Sequence, residues 1–180
     1  MICCLWATQK NKVCLNIAAT NSLKMETKNK ITKHSAFHWS IYTELTINAP
    51  KDKVWAALTD FSSMPMWSKT LQNIEGNLQS GSKTIVDYIF KGKLRKIKHT
   101  MVDFQNGTQF GWSDTLIPFA KDYHIYRVED LPGGKTLFIQ KDEVKGFSAS
   151  VVAGMLMKEM FNTYPEFNQS LKTTVEQTIR

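Results

Sequence analysis

The chain has 180 residues, 42% hydrophobic and 22% charged, which is the balance of a globular protein with one sizeable core. It contains no apolar run near the roughly 20 residues that a membrane-crossing helix needs. The net charge of +7 is uneven: residues 1–36 hold six lysines against one glutamate, and the remainder holds 17 basic and 15 acidic side chains. A basic excess confined to a tail argues against nucleic acid as the partner.

All three cysteines, Cys3, Cys4 and Cys14, fall in that tail at spacings that match no zinc pattern. The remaining chain needs no disulfide and suits a reducing, cytoplasmic compartment. The opening ICCLWA is too short for a secretory core and lacks a preceding basic flank. Residues 1–36 therefore read as an unstructured leader, with Met25 an alternative start. Residues 37–180 read as one domain.

In chain order, FHWSIYTELTINAP alternates Trp39, Ile41, Thr43, Leu45 and Ile47 on one face, the pattern of a strand. PKDKVWAALTD has helical spacing through Val54, Trp55 and Leu58, with Pro50 suited to a first helical turn. A loop follows, with a short second helix in it, that concentrates Phe61, Met64, Met66 and Trp67. Segments beginning at Leu71, Ser82, Lys93, Thr108, Lys121 and Lys135 then read as strands separated by short turns, among them Asn106-Gly107 and Pro132-Gly133-Gly134. Such turns join antiparallel neighbours in a meander. The internal basic run KGKLRKIKH, 91–99, reads as a solvated strand face. Residues 149–179 carry apolar positions at Val152, Met155, Leu156, Met160, Phe161, Tyr164, Phe167, Leu171 and Val175. These describe one long amphipathic helix, with a kink or break expected at Pro165. A sheet with segregated helices is an α+β domain.

The segments APKDKVWAALTDFSSMPMW, HIYRVEDLPGGKTLFIQKDEVKG and EFNQSLKTTVEQ, with Gly81 before a strand, resemble the START-like (Bet v 1-like, SRPBCC) superfamily. They are most similar to its polyketide cyclase/dehydrase and lipid-transport branch, over about residues 38–178. The resemblance implies a helix-grip fold: a curved antiparallel sheet of about seven strands wrapped on the C-terminal helix, with two short helices after the first strand. It also implies a cavity and a small hydrophobic ligand, such as a lipid, a polyketide or an aromatic compound. It does not imply one reaction, because the superfamily holds carriers, receptors, chaperone activators and enzymes.

Strand alternation agrees about the cavity. Val86, Tyr88 and Phe90 share one face, as do Phe110 with Trp112, His124 with Tyr126, and Phe138 with Gln140 and Asp142. Aromatic walls with a few placed polar groups suit a ligand pocket better than a plain core does. Met155, Met157 and Met160 would add an adaptable wall. Met64, Pro65, Met66 and Trp67 read as a gate over the cavity mouth, while Trp67 and Phe61 read equally as a plug of core at that end, and both readings can hold at once.

For chemistry, His124 with Tyr126, Gln140 and Asp142 could make an acid/base pair, with His124 and Asp142 as weak catalytic candidates, and His99 on the basic strand is a second histidine that could face inward. No nucleophile pattern accompanies them. Asp87, Asp103 and Asp114 lack metal-ligand spacing, and LPGGK is a hairpin turn and not a phosphate loop. The sequence thus points to a binder of one hydrophobic ligand, a carrier or sensor. It names no cofactor, no metal, no nucleic acid, no integral membrane contact and no particular protein partner. The alternatives are a cyclase/dehydratase-type enzyme working through His124, and a protein-interaction member of the superfamily.

Overall fold

The computed structural model describes residues 27–178, with the side chains of Leu116 and Val152 outside that description. Among the described residues eight strands form one antiparallel sheet. They are β1 Thr27–Ser35, β2 His38–Ile47, β3 Leu71–Glu75, β4 Lys83–Phe90, β5 Lys93–Gln105, β6 Gln109–Ile117, β7 Ala120–Leu131 and β8 Lys135–Gly146. The helices are α1 Lys51–Thr59, α2 Met64–Trp67 and α3 Ala149–Thr178. The strand order is β1-β2-β8-β7-β6-β5-β4-β3, so the meander from β3 to β8 is closed onto the N-terminal hairpin by the β2–β8 pair.

The sheet has one strand more than expected, and it lies inside the stretch read as leader. Strand β1, TKNKITKHS, pairs with β2 along its length, placing Ile31 opposite Ile41. It escapes a pattern reading because Ile31 is its one large apolar residue, and that residue packs against a core cluster with Ile41, Val144 and Met157. What orders β1 is the backbone ladder offered by β2, while its lysines keep the exposed edge from pairing with another chain. The expected leader therefore gives way to structure from Thr27; residues 1–26 lie outside the described residues.

Alternation places Ile41, Thr43, Leu45 and Ile47 inward on β2. Helix α3 lies over this half of the sheet, packing chiefly on β2 with further contact to β8, β1 and α1. Its C-terminal part is tied down by polar bonds: Lys172 Nζ donates to Thr46 O at 2.8 Å, and Asn48 N–H donates to Glu176 at 2.7 Å. The helix runs through Pro165 without the break expected there. A proline costs a helix one N–H bond and a steric clash. Burial of Tyr164, Phe167, Asn168 and Leu171 around it holds the element together.

Among the described residues two apolar clusters result. The larger gathers Ile47, Val54, Leu58, Met64, Phe110, Phe138, Phe167 and Leu171 under α1 and α2. The smaller joins Ile41, Val144, Ala149, Ala153, Met157 and Tyr164 beneath the start of α3. Between α3 and the inner face of β4–β8 a cavity remains.

Candidate functional site

Register builds the site. Trp112 on β6 lies opposite His124 on β7, and His124 lies opposite Asp142 on β8. One row along, Phe110, Tyr126 and Gln140 are paired in the same way. Residues opposite each other in an antiparallel pair point to the same face, so the rows form two adjacent inward ridges. Gly111 allows the close approach: a Cβ there would lie 2.1 Å from the His124 carbonyl oxygen.

The polar side chains in these rows are almost wholly shut from solvent. His124 is 3% exposed, Asp142 and Gln140 1% each. Tyr164 of α3 reaches across and donates its hydroxyl to Asp142 Oδ2 at 2.6 Å. His124 Nδ1 lies 3.1 Å from the same oxygen and 3.1 Å from the Tyr164 hydroxyl. On the other side of the ring, Gln140 Nε2 is 3.3 Å from His124 Nε2 and 3.4 Å from the Tyr126 hydroxyl. A consistent proton assignment has Nδ1–H donating to Asp142 and Nε2 accepting from the Gln140 amide. Trp112 stacks on the imidazole with centroids 4.6 Å apart.

Burial, and then the Asp142 charge, raise the Tyr126 and Tyr164 hydroxyls far above the ordinary phenol range. Both remain donors at any physiological pH. Asp142 Oδ1 and Gln140 Oε1 are buried without a hydrogen-bond partner among the described residues.

A second polar group lies across Trp112. His99 Nδ1 is 2.9 Å from Asp114 Oδ2, and Asp122 accepts the Asp114 N–H at 2.8 Å. Burial pushes the His99 imidazole down, and the neighbouring Asp114 opposes this only in part. Burial lifts the Asp122 carboxyl to about 6, against the pull of the Asp114 N–H.

These groups line a cavity of about 260 Å³, whose apolar wall comes from Leu71, Val86, Tyr88, Ile89, Phe90, Trp112, Tyr126, Leu156 and Met160. Of the residues expected to line it, Val86, Tyr88, Phe90, Trp112, His124, Tyr126, Gln140, Asp142 and Met160 do so. Phe61, Met64, Trp67, Phe110, Phe138 and Met155 do not. Phe110 and Phe138 share the predicted faces, but α1, α2 and Phe167 cover them, so they are core. Met64 is fully buried, Phe61 packs edge-on against Phe110 with centroids 6.0 Å apart, and Trp67 lies 5.2 Å from Phe167. Phe61, Met64 and Trp67 thus pack against core residues, while Met66 of the same loop is 82% exposed. Met155 is 57% exposed on the outer side of α3, and Met157 joins the smaller core cluster.

Tyr164, Asp114 and Asp122 were missed as site residues. Asp114 follows Trp112 by two positions and Asp122 precedes His124 by two, so alternation already carried their inward direction. Tyr164 sits in an apolar helical stripe, where its hydroxyl gives no separate signal. A larger, shallow depression of about 640 Å³ lies on the outer face of the sheet, around Tyr123, Lys121, Lys145 and Gly146. It holds none of the acid/base grouping.

Among the described residues no group of three or more His, Cys, Asp or Glu side chains is arranged to hold a metal ion. In that same region no helix is long and apolar enough to cross a membrane.

A family model described as polyketide cyclase / dehydrase and lipid transport matches residues 38–176. Among solved structures, the ZhuI aromatase/cyclase from Streptomyces sp. R1128 superposes with a TM-score of 0.63 at 14% identity, covering 79% of this chain and 96% of that one. A START superfamily protein from Mycobacterium smegmatis gives 0.61 at 15% identity, over 77% and 98% of the two chains. Ara h 8.0201 gives 0.60 at 14%, over 78% and 99%. At these identities the likeness is one of fold, the helix-grip arrangement. No match is found among curated proteins.

Proposed function

We propose, from the premise that this chain belongs to the polyketide cyclase/dehydrase and lipid-transport family, that it binds one compact apolar molecule in the cavity beneath α3. The protein then acts as a carrier or sensor and not as a catalyst. The observation that supports this most is the cavity itself, an aromatic and aliphatic chamber ending on the hydrogen-bonded group His124, Asp142, Tyr164 and Gln140. Its volume of about 260 Å³ falls just under the usual ~300–1,000 Å³ of ligand pockets, which favours a molecule of about two fused rings over a long-chain lipid. The lining carries the carboxyl groups of Asp114, Asp122, Asp142 and Glu159 against one lysine, Lys98. A carboxylate ligand would meet like charge and lose its hydration, so the polar end of the ligand is uncharged.

Acid/base catalysis by His124 is the second reading, favoured by an imidazole oriented on a buried carboxylate. Against it, both ring nitrogens are already engaged, Nδ1 by Asp142 and Nε2 by Gln140. A substrate proton could reach Nε2 only by displacing the amide.

Calorimetric titration with naphthol and with naphthoate, on wild type and His124→Gln, tests both readings. The binder reading expects naphthol to bind more tightly than naphthoate. His124→Gln should cost about 0.5–1.5 kcal/mol, the worth of one ordinary hydrogen bond. Native mass spectrometry of protein purified from its own host supplies the natural ligand for a turnover assay. Chemical conversion of that ligand by wild type, lost in His124→Gln, would overturn the carrier reading.

A further inference from the structure

Single exposed apolar side chains need no explanation, but a cluster of them does. Among the described residues, five of the eight exposed large hydrophobics lie at one end of the molecule: Phe37, Phe119, Phe147, Val151 and Met155. They come from three places in the chain: the β1–β2 turn, the β6–β7 turn, and the β8–α3 junction with the first turns of α3.

The three are fastened together. The Phe37 and Phe147 rings stack with centroids 5.4 Å apart, and Gly146 N–H donates to Phe37 O at 2.9 Å. The Ser148 hydroxyl donates to Pro118 O. Gly146, at φ +133°, lets the β6–β7 turn press in, since a Cβ there would stand 2.0 Å from Phe119 O. Phe119 itself holds φ at +65°, a costly conformation for a side chain of this size. Yet it is 80% exposed, so the strain serves no packing that is visible within the fold.

Charge says what the patch faces. Lys121 and Lys145 are register partners next to Ala120 and Gly146 and line the outer depression together with Phe119, and Val151, Met155 and Lys158 follow one another at i, i+4 and i+7 along α3. Asp122 and Glu143 are the acids around the neighbouring outer depression, and Glu143 is bound to Lys145 and adjoins His38. Aromatic and aliphatic tips inside a lysine rim match the headgroup boundary of an anionic bilayer, where rings sink into the interface and ammonium groups meet lipid phosphates.

We propose that this end, built on Phe37, Phe119, Phe147, Val151 and Met155, is a docking surface for anionic membranes. It lies next to the cavity: Leu156 and Met160, on the following turns of α3, belong to the cavity wall. Docking by this surface does not depend on what the cavity holds.

The test is co-sedimentation of the full chain with phosphatidylcholine vesicles, with and without phosphatidylserine. The variant is Phe119→Asn/Phe147→Ser, in which asparagine tolerates the left-handed backbone at 119. Both side chains are exposed, and an unchanged melting temperature verifies the fold. The basic residues 1–26 are common to wild type and variant, so the difference reports the patch alone. The expected result is binding that requires phosphatidylserine, weakens with salt, and falls at least about tenfold in the double variant. Lys121→Glu should weaken it further. Equal binding by wild type and variant, or no vesicle binding at all, overturns the proposal. A dimer in analytical ultracentrifugation that the double variant abolishes, without vesicle binding, would make the patch a self-interface instead.

Discussion

Removing the Tyr164 hydroxyl tests the polar end of the cavity with the least disturbance. Tyr164→Phe deletes one oxygen and leaves the ring, which packs edge-on to His124 with centroids 5.3 Å apart. The lost bond is 2.6 Å long and runs to a carboxylate 1% exposed to solvent. Hydrogen bonds to charged groups are worth about 1.5–3 kcal/mol. The upper half of that range is expected, because Asp142 Oδ1 has no partner among the described residues and Oδ2 would keep only the His124 Nδ1–H. At about 2–4 °C per kcal/mol for a protein of this size, the melting temperature should fall by roughly 5–12 °C. Urea unfolding gives the free energy directly, and a double-mutant cycle with Asp142→Asn should return a coupling of at least about 1 kcal/mol. A loss under about 0.5 kcal/mol, or no coupling, would mean that water or another group satisfies Asp142, and the dry polar cluster would be refuted.

Asp122 gives a pH prediction. Burial lifts its carboxyl from 3.8 to about 6, so the folded chain holds a proton that the unfolded chain releases in that window. The stability this proton contributes is full below pH 3.8 and is lost as pH rises through about 6. Asp122→Asn keeps an acceptor for the Asp114 N–H and removes the charge. Thermal melts across pH should show it more stable than wild type at neutral pH, with the gain vanishing below pH 3.8; a pH-independent difference would contradict the assignment. Trp67→Ala should cost about 3 kcal/mol in denaturant unfolding, as removal of a packed aromatic does. A much smaller loss with faster ligand exchange would favour the gate reading of its loop.

Much of this architecture was legible because β-strand alternation leaves few choices of face. Once Trp112, His124 and Asp142 are placed on strands with short turns between them, their shared direction follows, and the turns at Asn106-Gly107 and Pro132-Gly133-Gly134 fix the neighbours. Alternation cannot say which inward residue meets the cavity and which meets a helix. Phe110 and Phe138 lie on the same faces as Trp112 and Gln140, yet become core because α1, α2 and α3 cover that end of the sheet. Where a helix rests is decided by packing over the whole chain, which no local window contains. Strand β1 was illegible for the opposite reason, since its pairing uses backbone groups that every sequence has. Tyr164 was legible as apolar; its second function emerges only where the helix meets β8.

The central claim is that an uncharged, compact ligand enters the cavity between α3 and β4–β8. Titrating naphthol into protein carrying isotope-labelled methionine methyl groups tests it most directly by NMR. Met160 lines the cavity, whereas Met155, on the same helix, is exposed on its outer side. The account predicts saturable shifts of the Met160 methyl, with Met155 and the exposed Met66 unmoved. Shifts confined to Met155 or Met66, or no saturable shift at Met160, would contradict it.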